Sequence, residues 1–200
     1  MELYIIRHGE TVWNKERRLQ GRTDIVLSEN GIDLAIKTGE ALALVDIEVI
    51  YSSPLSRAYD TAVYIRGSRD IPIIEDDRIR EMSFGAYEGM KESELEDTSF
   101  KYFFCDPCKY TPSDEGETFE EVCVRAEAFM IDLMHKYGHT DKRIMIVAHG
   151  AMNKAIMMYV KKHPLSEFWK PDLQKNCSAI IVRYEDEQFN IIDECKCFWQ

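Results

Sequence analysis

The sequence predicts a three-layer α/β/α sandwich whose central sheet is mostly parallel and carries an antiparallel edge strand. Three observations lead there. Short apolar runs rich in β-branched residues alternate with stretches of helical periodicity, the pattern of βαβ units on a parallel sheet. A strand that ends in His-Gly and is followed by a helix occurs twice, at His8-Gly9 and at His149-Gly150. The chain closes on two extended runs divided by Glu185-Asp186-Glu187, which read as a hairpin. Its 200 residues suit one domain over 1–200 with a sizeable core.

Taken in order, Leu3-Tyr4-Ile5-Ile6 is a buried strand that stops at Arg7-His8-Gly9-Glu10-Thr11, where glycine marks a sharp turn. Ser28 can cap a helix whose apolar positions Ile32, Ala35, Ile36, Leu42 and Ala43 keep to one face. A strand over 47–51 runs into Ser52-Ser53-Pro54-Leu55-Ser56-Arg57. Pro54 suits a first helical turn, so Arg57 falls about one turn into a helix over 57–65. A short strand follows at 71–75. From Lys91 to Gly116 no period holds, and this stretch (about 91–116) reads as a cap segment over the rim of the sheet. Phe100, Tyr102, Phe103, Phe104 and Tyr110 crowd into it, and one or two of them should line a pocket. Thr118-Phe119-Glu120-Glu121 is a capping box that opens a helix with Phe119, Val122, Ala126, Phe129, Leu133 and Tyr137 inward, closed by Gly138. The run 143–148 is a strand of parallel type, and after His149-Gly150 the residues Met152, Ala155, Ile156, Tyr159 and Val160 recur at helical spacing. The hairpin takes 178–184 and 188–193.

Strand ends thus deliver Arg7, His8, Arg57 and His149 to the carboxyl rim of the sheet, where open α/β sheets bind ligands. Two arginines and two histidines meeting at helix N-termini make a site for a tetrahedral dianion. Arginine is the side chain best shaped for phosphate, and histidine can be a nucleophile at neutral pH.

Composition narrows the classes further. Hydrophobic content of 45% and charged content of 30% are those of an ordinary globular chain. The net charge of −11 argues against a nucleic-acid partner, which would need a basic stripe. The longest unbroken apolar run, 155–160, is far too short to cross a bilayer, and no basic-then-apolar leader precedes the first strand, so a cytoplasmic protein without membrane contact is expected. Glu92, Glu94, Glu96 and Asp97 read as a solvated helix face. Cys105/Cys108 and Cys195/Cys197 have spacings seen in metal sites, but no histidine adjoins either pair, and no metal is expected. Cys123 and Cys177 read as small core residues. His135 and His139 straddle Gly138 and complement a helix C-terminus.

The motifs in register resemble one family. Arg7 to Asn14 (RHGETVWN) with Gln20-Gly21 and Leu27-Ser28-Glu29-Asn30-Gly31, then Ser52 to Ala58 (SSPLSRA) with Thr61-Ala62, then Arg80 to Gly89 (REMSFGAYEG), and last His149-Gly150, fall in the order of the phosphoglycerate mutase-like branch of the histidine phosphatase superfamily. They span about three quarters of the chain. That resemblance implies a phosphomonoester hydrolase needing no metal or other cofactor, with a small phosphate ester as its partner. His8 would attack phosphorus and become a phosphohistidine, for which it must be neutral, its other ring nitrogen donating to a fixed acceptor. Arg7, Arg57 and His149 would hold the phosphoryl oxygens, with the arginines supplying the charge a metal otherwise would. Asn14 looks like a further oxygen ligand, Gln20-Gly21 a contact near the rest of the substrate, and Gly150 part of the same binding surface. Glu81 is the candidate acid for the leaving group and base for the hydrolytic water; the alternative reading of its carboxylate is a surface pair with Arg78 or Arg80.

Departures from related patterns refine the branch. The acid phosphatase and phytase pattern has arginine after Arg-His-Gly and His-Asp at the second histidine, where this chain has Glu10-Thr11 and His149-Gly150. Cofactor-dependent phosphoglycerate mutase is the alternative, but mutases are longer and carry paired arginines in the cap, whereas no arginine lies between Glu81 and Arg125, and Phe84 stands where mutases have tyrosine. A phospholigand-binding module without turnover is a second alternative, which loss of His8 or Glu81 would have favoured.

Overall fold

A computed structural model describes residues 1–199. Its elements are β1 (Glu2–Arg7), α1 (Val12–Lys15), α2 (Glu29–Ala41), β2 (Ile47–Ser52), α3 (Ser56–Arg66), β3 (Ile73–Glu75), α4 (Phe119–Tyr137), β4 (Arg143–Ala148), α5 (Gly150–Lys161), β5 (Ala179–Glu185) and β6 (Gln188–Lys196). They build one six-stranded sheet in the order β3-β2-β4-β1-β5-β6. β1, β2, β3 and β4 pair in parallel, while β5 runs antiparallel to β1 and to β6. The strand that runs against the rest is therefore β5, one place in from the edge, and the edge itself is β6.

Alternation along the strands makes the two outer layers. On β1, Leu3 and Ile5 face one core with Ile144, Ile146, Phe129, Leu133 and Ile156, so α4 and α5 cover that side. Tyr4 and Ile6 point the other way, into a core with Ala35, Leu42, Ala58, Ile65, Met145 and Val147 beneath α2 and α3. The sandwich is the predicted one.

Local signals act largely as read. Ser28 accepts from Gly31 N, and Thr118 and Glu121 exchange both capping-box bonds. All six inward positions named on α4 are buried. Several readings need correction. Ile36 and Ala43 are exposed, because the buried stripe of α2 runs through Gly31, Ala35 and Thr38. Pro54 precedes the N-cap Leu55, which puts Arg57 within the first turn of α3. Gly138, by contrast, closes α4 as read, standing as its C-cap in a right-handed conformation. Glu92, Glu94, Glu96 and Asp97 are exposed but not on an α-helix; the 91–116 stretch consists of short 3-10 turns around buried Leu95, Phe100, Phe103 and Tyr110.

Among the described residues no helix is long and apolar enough to cross a membrane. No group of three or more His, Cys, Asp or Glu side chains stands as a metal site among them either, so the two cysteine pairs do not combine into one.

Candidate active site

β1 and β4 are neighbours in parallel register, with Arg7 opposite Ala148. The residues that follow them, His8 and His149, therefore leave the sheet side by side. Their ring centroids stand 5.2 Å apart. His8 is buried, its backbone N–H donates to Ala148 O at 2.9 Å, and its Nδ1 lies 2.7 Å from Gly9 O. A carbonyl can only accept, so Nδ1 carries the proton and Nε2 keeps its lone pair. Burial, then the Arg57 and Arg7 guanidinium groups, hold the His8 imidazole well below its usual range, so the ring is neutral.

His149 is buried too, with Nε2 2.8 Å from Oγ of Ser53, the residue after β2, and Nδ1 is buried without a partner among the described residues. Burial and Arg57 likewise push its pKa far down. Arg57 donates through its two terminal nitrogens to Thr23 O at 2.9 Å and Gly21 O at 2.6 Å, while Nε is buried without a partner among those residues. Burial lowers its pKa to about 10, which leaves it charged at neutral pH. Arg7 donates to Gln174 O at 2.6 Å, and its Nε is likewise buried and unpaired. Two guanidinium groups and an imidazole thus converge with unused buried nitrogens, an arrangement fitted to an anion.

Glu81 is nearly buried and is not paired with Arg78 or Arg80. Arg78 binds Asp76 and Asp132, and Arg80 binds Asp77. The Glu81 carboxylate instead accepts from Met82 N at 2.9 Å and from two N–H groups in the first turn of α5, Met152 at 3.1 Å and Ala151 at 3.3 Å. Arg125 of α4 fixes the main chain beneath it by donating to Arg78 O, Arg80 O and Glu81 O. A Cβ built on Gly150 would lie 3.7 Å from Glu81 Oε2, 3.9 Å from Arg7 Nε and 3.0 Å from Leu173 Cδ1. The missing side chain keeps that corner open.

Asn14 caps α1 through Oδ1, which accepts from Thr11 N and Oγ1. Its Nδ2 is the half of the amide not used there. Gln20 is buried with Oε1 unpaired among the described residues, and Gly21 turns its carbonyl to Arg57.

All nine residues named from the sequence except His149 line one cavity of about 100 Å³, and the His149 ring adjoins that of His8 at a tilt of 55°. Phe84, Phe103 and Phe104 also line it, together with Arg18, Leu19, Glu92, Trp169 and Leu173. A larger cavity of about 620 Å³ lies between α4, α5 and the β5–β6 hairpin, and it holds none of these groups. Convergent buried polar groups, rather than size, mark the smaller one as the site.

The sequence reading missed the 162–178 stretch. It supplies Trp169 and Leu173 to the wall, Gln174 O to Arg7, Asn176 Nδ2 to His8 O at 2.8 Å and Cys177 N to Arg7 O at 2.9 Å. It has no period, and only its polar, irregular character between α5 and β5 signalled a loop against the rim. Ser53 lies inside the Ser52 to Ala58 motif, and nothing local in the sequence points it to His149.

The family profile of the histidine phosphatase superfamily (branch 1) matches residues 3–194. Phosphoserine phosphatase 1 of Hydrogenobacter thermophilus is 30% identical over 195 residues, 96% of this chain and 90% of that protein. A metal-independent phosphoserine phosphatase of Arabidopsis thaliana is 32% identical over 197 residues, 96% of this chain and 79% of that one. Proteins named as phosphoglycerate mutases also occur among the relatives. Bacillus stearothermophilus YhfR superimposes with a TM-score of 0.90 at 35% identity, over 98% of this chain and 96% of that one.

Proposed function

The chain belongs to the histidine phosphatase superfamily (branch 1), and from that premise we propose that it is a metal-independent phosphatase of small phosphate esters working through a phosphohistidine on His8. One observation carries the reading: the Nδ1–Gly9 O bond leaves Nε2 of a neutral, buried imidazole as the nucleophile, between two arginines with unused donors.

The chemistry runs in two displacements. His8 Nε2 forms a bond to phosphorus as the ester oxygen leaves, and Glu81 gives that oxygen its proton. Water then attacks the phosphohistidine while Glu81 takes a proton back, and inorganic phosphate departs. Oε2 of Glu81, on the side of Gly150 and Arg7 Nε, is the oxygen suited to the proton. Arg7, Arg57 and His149, with Asn14 Nδ2, balance charge on the phosphoryl oxygens throughout. Gln20, Gly21 and Gly150 border the ester group. The 91–116 stretch caps the site, and Phe104 with Trp169 gives the ester group an apolar wall.

The relatives named for phosphoserine put that compound on the test panel. A hydrolysis screen with phosphoserine, sugar phosphates, aryl phosphates and 3-phosphoglycerate, run in EDTA with isomerisation followed, tests the proposal. Release of phosphate without interconversion of 2- and 3-phosphoglycerate is the expected result.

A further inference from the structure

Glu88 is a carboxylate outside the reacting centre, and it has no cation within ion-pair distance among the described residues. Four donors reach it instead. Oε1 accepts from Arg22 N at 2.9 Å and Phe84 N at 3.1 Å, and Oε2 accepts from Thr23 N at 2.8 Å and Thr23 Oγ1 at 2.5 Å. The turn it grips, 20–23, is the one whose Gly21 and Thr23 carbonyls receive both terminal nitrogens of Arg57.

Gly21 shows how closely the two are fitted. Its φ is +53°, and a Cβ there would fall 2.0 Å from Glu88 Oε1. A side chain at that φ would be strained and would also have to displace the Glu88 carboxylate. On its far side the same loop is tied to α3, where Asp24 accepts from Ser56 N and Oγ. Asp24 follows the turn directly, so the turn is held at both ends and Arg57 takes its direction from carbonyls fixed by Glu88.

We propose that Glu88 is a positioning residue for Arg57, acting through the Gly21–Thr23 turn to aim the guanidinium at the phosphoryl group. The inference rests on reading the site as a phosphate cradle. A carboxylate is needed because every contact is an incoming donor, and a glutamine would turn N–H against N–H at one of the two oxygens. Phe84 N shares Oε1, so the same group also ties the turn to a wall of the cavity.

A double-mutant cycle decides it, read as kcat/KM for an aryl phosphate and as the affinity for orthovanadate, which needs no turnover. E88Q is expected to lower kcat/KM and to weaken vanadate binding, each about 10- to 100-fold, the scale of a misplaced catalytic group. In an Arg57→Ala background E88Q should change either quantity less than about threefold, because the group it positions is gone. Equal losses in both backgrounds, or an E88Q enzyme within about threefold of wild type, overturn the proposal. If E88Q fails to fold, Thr23→Val removes one donor to the carboxylate, and its smaller loss must likewise vanish in the Arg57→Ala background. Wild-type protein that binds vanadate but hydrolyses no phosphomonoester contradicts the proposed function instead, and leaves the cycle in vanadate affinity to judge Glu88.

Discussion

The imidazole of His8 bonds to the carbonyl of its own neighbour, Gly9, Nδ1 to oxygen at 2.7 Å. Because the acceptor is the carbonyl of the next residue, the contact fixes the tautomer without any partner from elsewhere in the fold. Its energetic counterpart is that the ring must stay uncharged, since burial and both arginines oppose a proton.

That condition makes stability depend on pH. The pKa values of His8 and His149 are depressed in the folded chain, so below the unfolded value of about 6.5 the unfolded state binds more protons than the folded one. Stability is therefore full above about pH 6.5 and falls as the pH drops toward about 5, by up to about 1.4 kcal/mol per pH unit for each histidine. Denaturant unfolding of the ligand-free protein at several pH values measures the slope. His8→Gln should make it shallower; an unchanged slope means that His8 takes up its proton in the fold.

Glu81→Gln separates two roles. An alkoxide leaving group needs a proton in the transition state and a nitrophenolate does not, so alkyl phosphates should lose about 10²- to 10⁴-fold in kcat/KM, which reports transfer to His8 and not the hydrolysis shared by all substrates, and aryl phosphates far less. Steady-state rates on both classes give the answer. Equal losses would mean that Glu81 only braces the first turn of α5, through Ala151 and Met152.

The aromatic wall divides into two kinds of residue. Phe103 is 1% exposed and stacks on Phe100 and Phe119, so Phe103→Ala should cost about 3–5 kcal/mol of stability before it says anything of substrates. Phe104 is 43% exposed and meets Trp169 at 4.9 Å, so Phe104→Ala is the cleaner probe. It should raise KM for aryl phosphates about 3- to 10-fold and leave small substrates nearly unchanged. The wild-type enzyme should prefer aryl or bulky esters to 3-phosphoglycerate, and efficient mutase activity would reverse that reading.

Metal chelation should leave activity unchanged, because Arg7 and Arg57 carry the charge the phosphoryl group requires. Serine at Cys105, Cys108, Cys195 and Cys197 together should also leave turnover intact. Loss of activity in EDTA, restored by zinc, would give these thiols a part in turnover and contradict a metal-independent reaction.

The residues at strand ends were legible in the sequence because the apolar runs locate the strands, and parallel strands bring their carboxyl ends to one rim. Arg7, His8, Arg57 and His149 meet for that reason. Their partners were not legible, since each depends on contact between distant segments: Gln174 O reaches Arg7 across 167 positions, and Ser53 reaches His149 across 96. The sequence allows Glu81 two readings, and Asp76, Asp77 and Asp132 decide between them by taking the neighbouring arginines. On α2, helical spacing alone does not set which way the stripe faces: Ile36, expected on the buried face, is exposed, and Thr38 is buried instead, bonding Leu34 O and Cys177 O.

The most direct measurement traps the covalent intermediate. A radiolabelled phosphomonoester mixed with the enzyme and quenched within the first turnovers should leave label on the protein that is lost in acid and kept in base, as a phosphoramidate behaves, and His8→Ala should carry none while remaining folded. Label that survives acid and is released by hydroxylamine would be an acyl phosphate on Glu10 or Glu81, and label undiminished in His8→Ala would place the bond elsewhere; either result contradicts a phosphohistidine at His8.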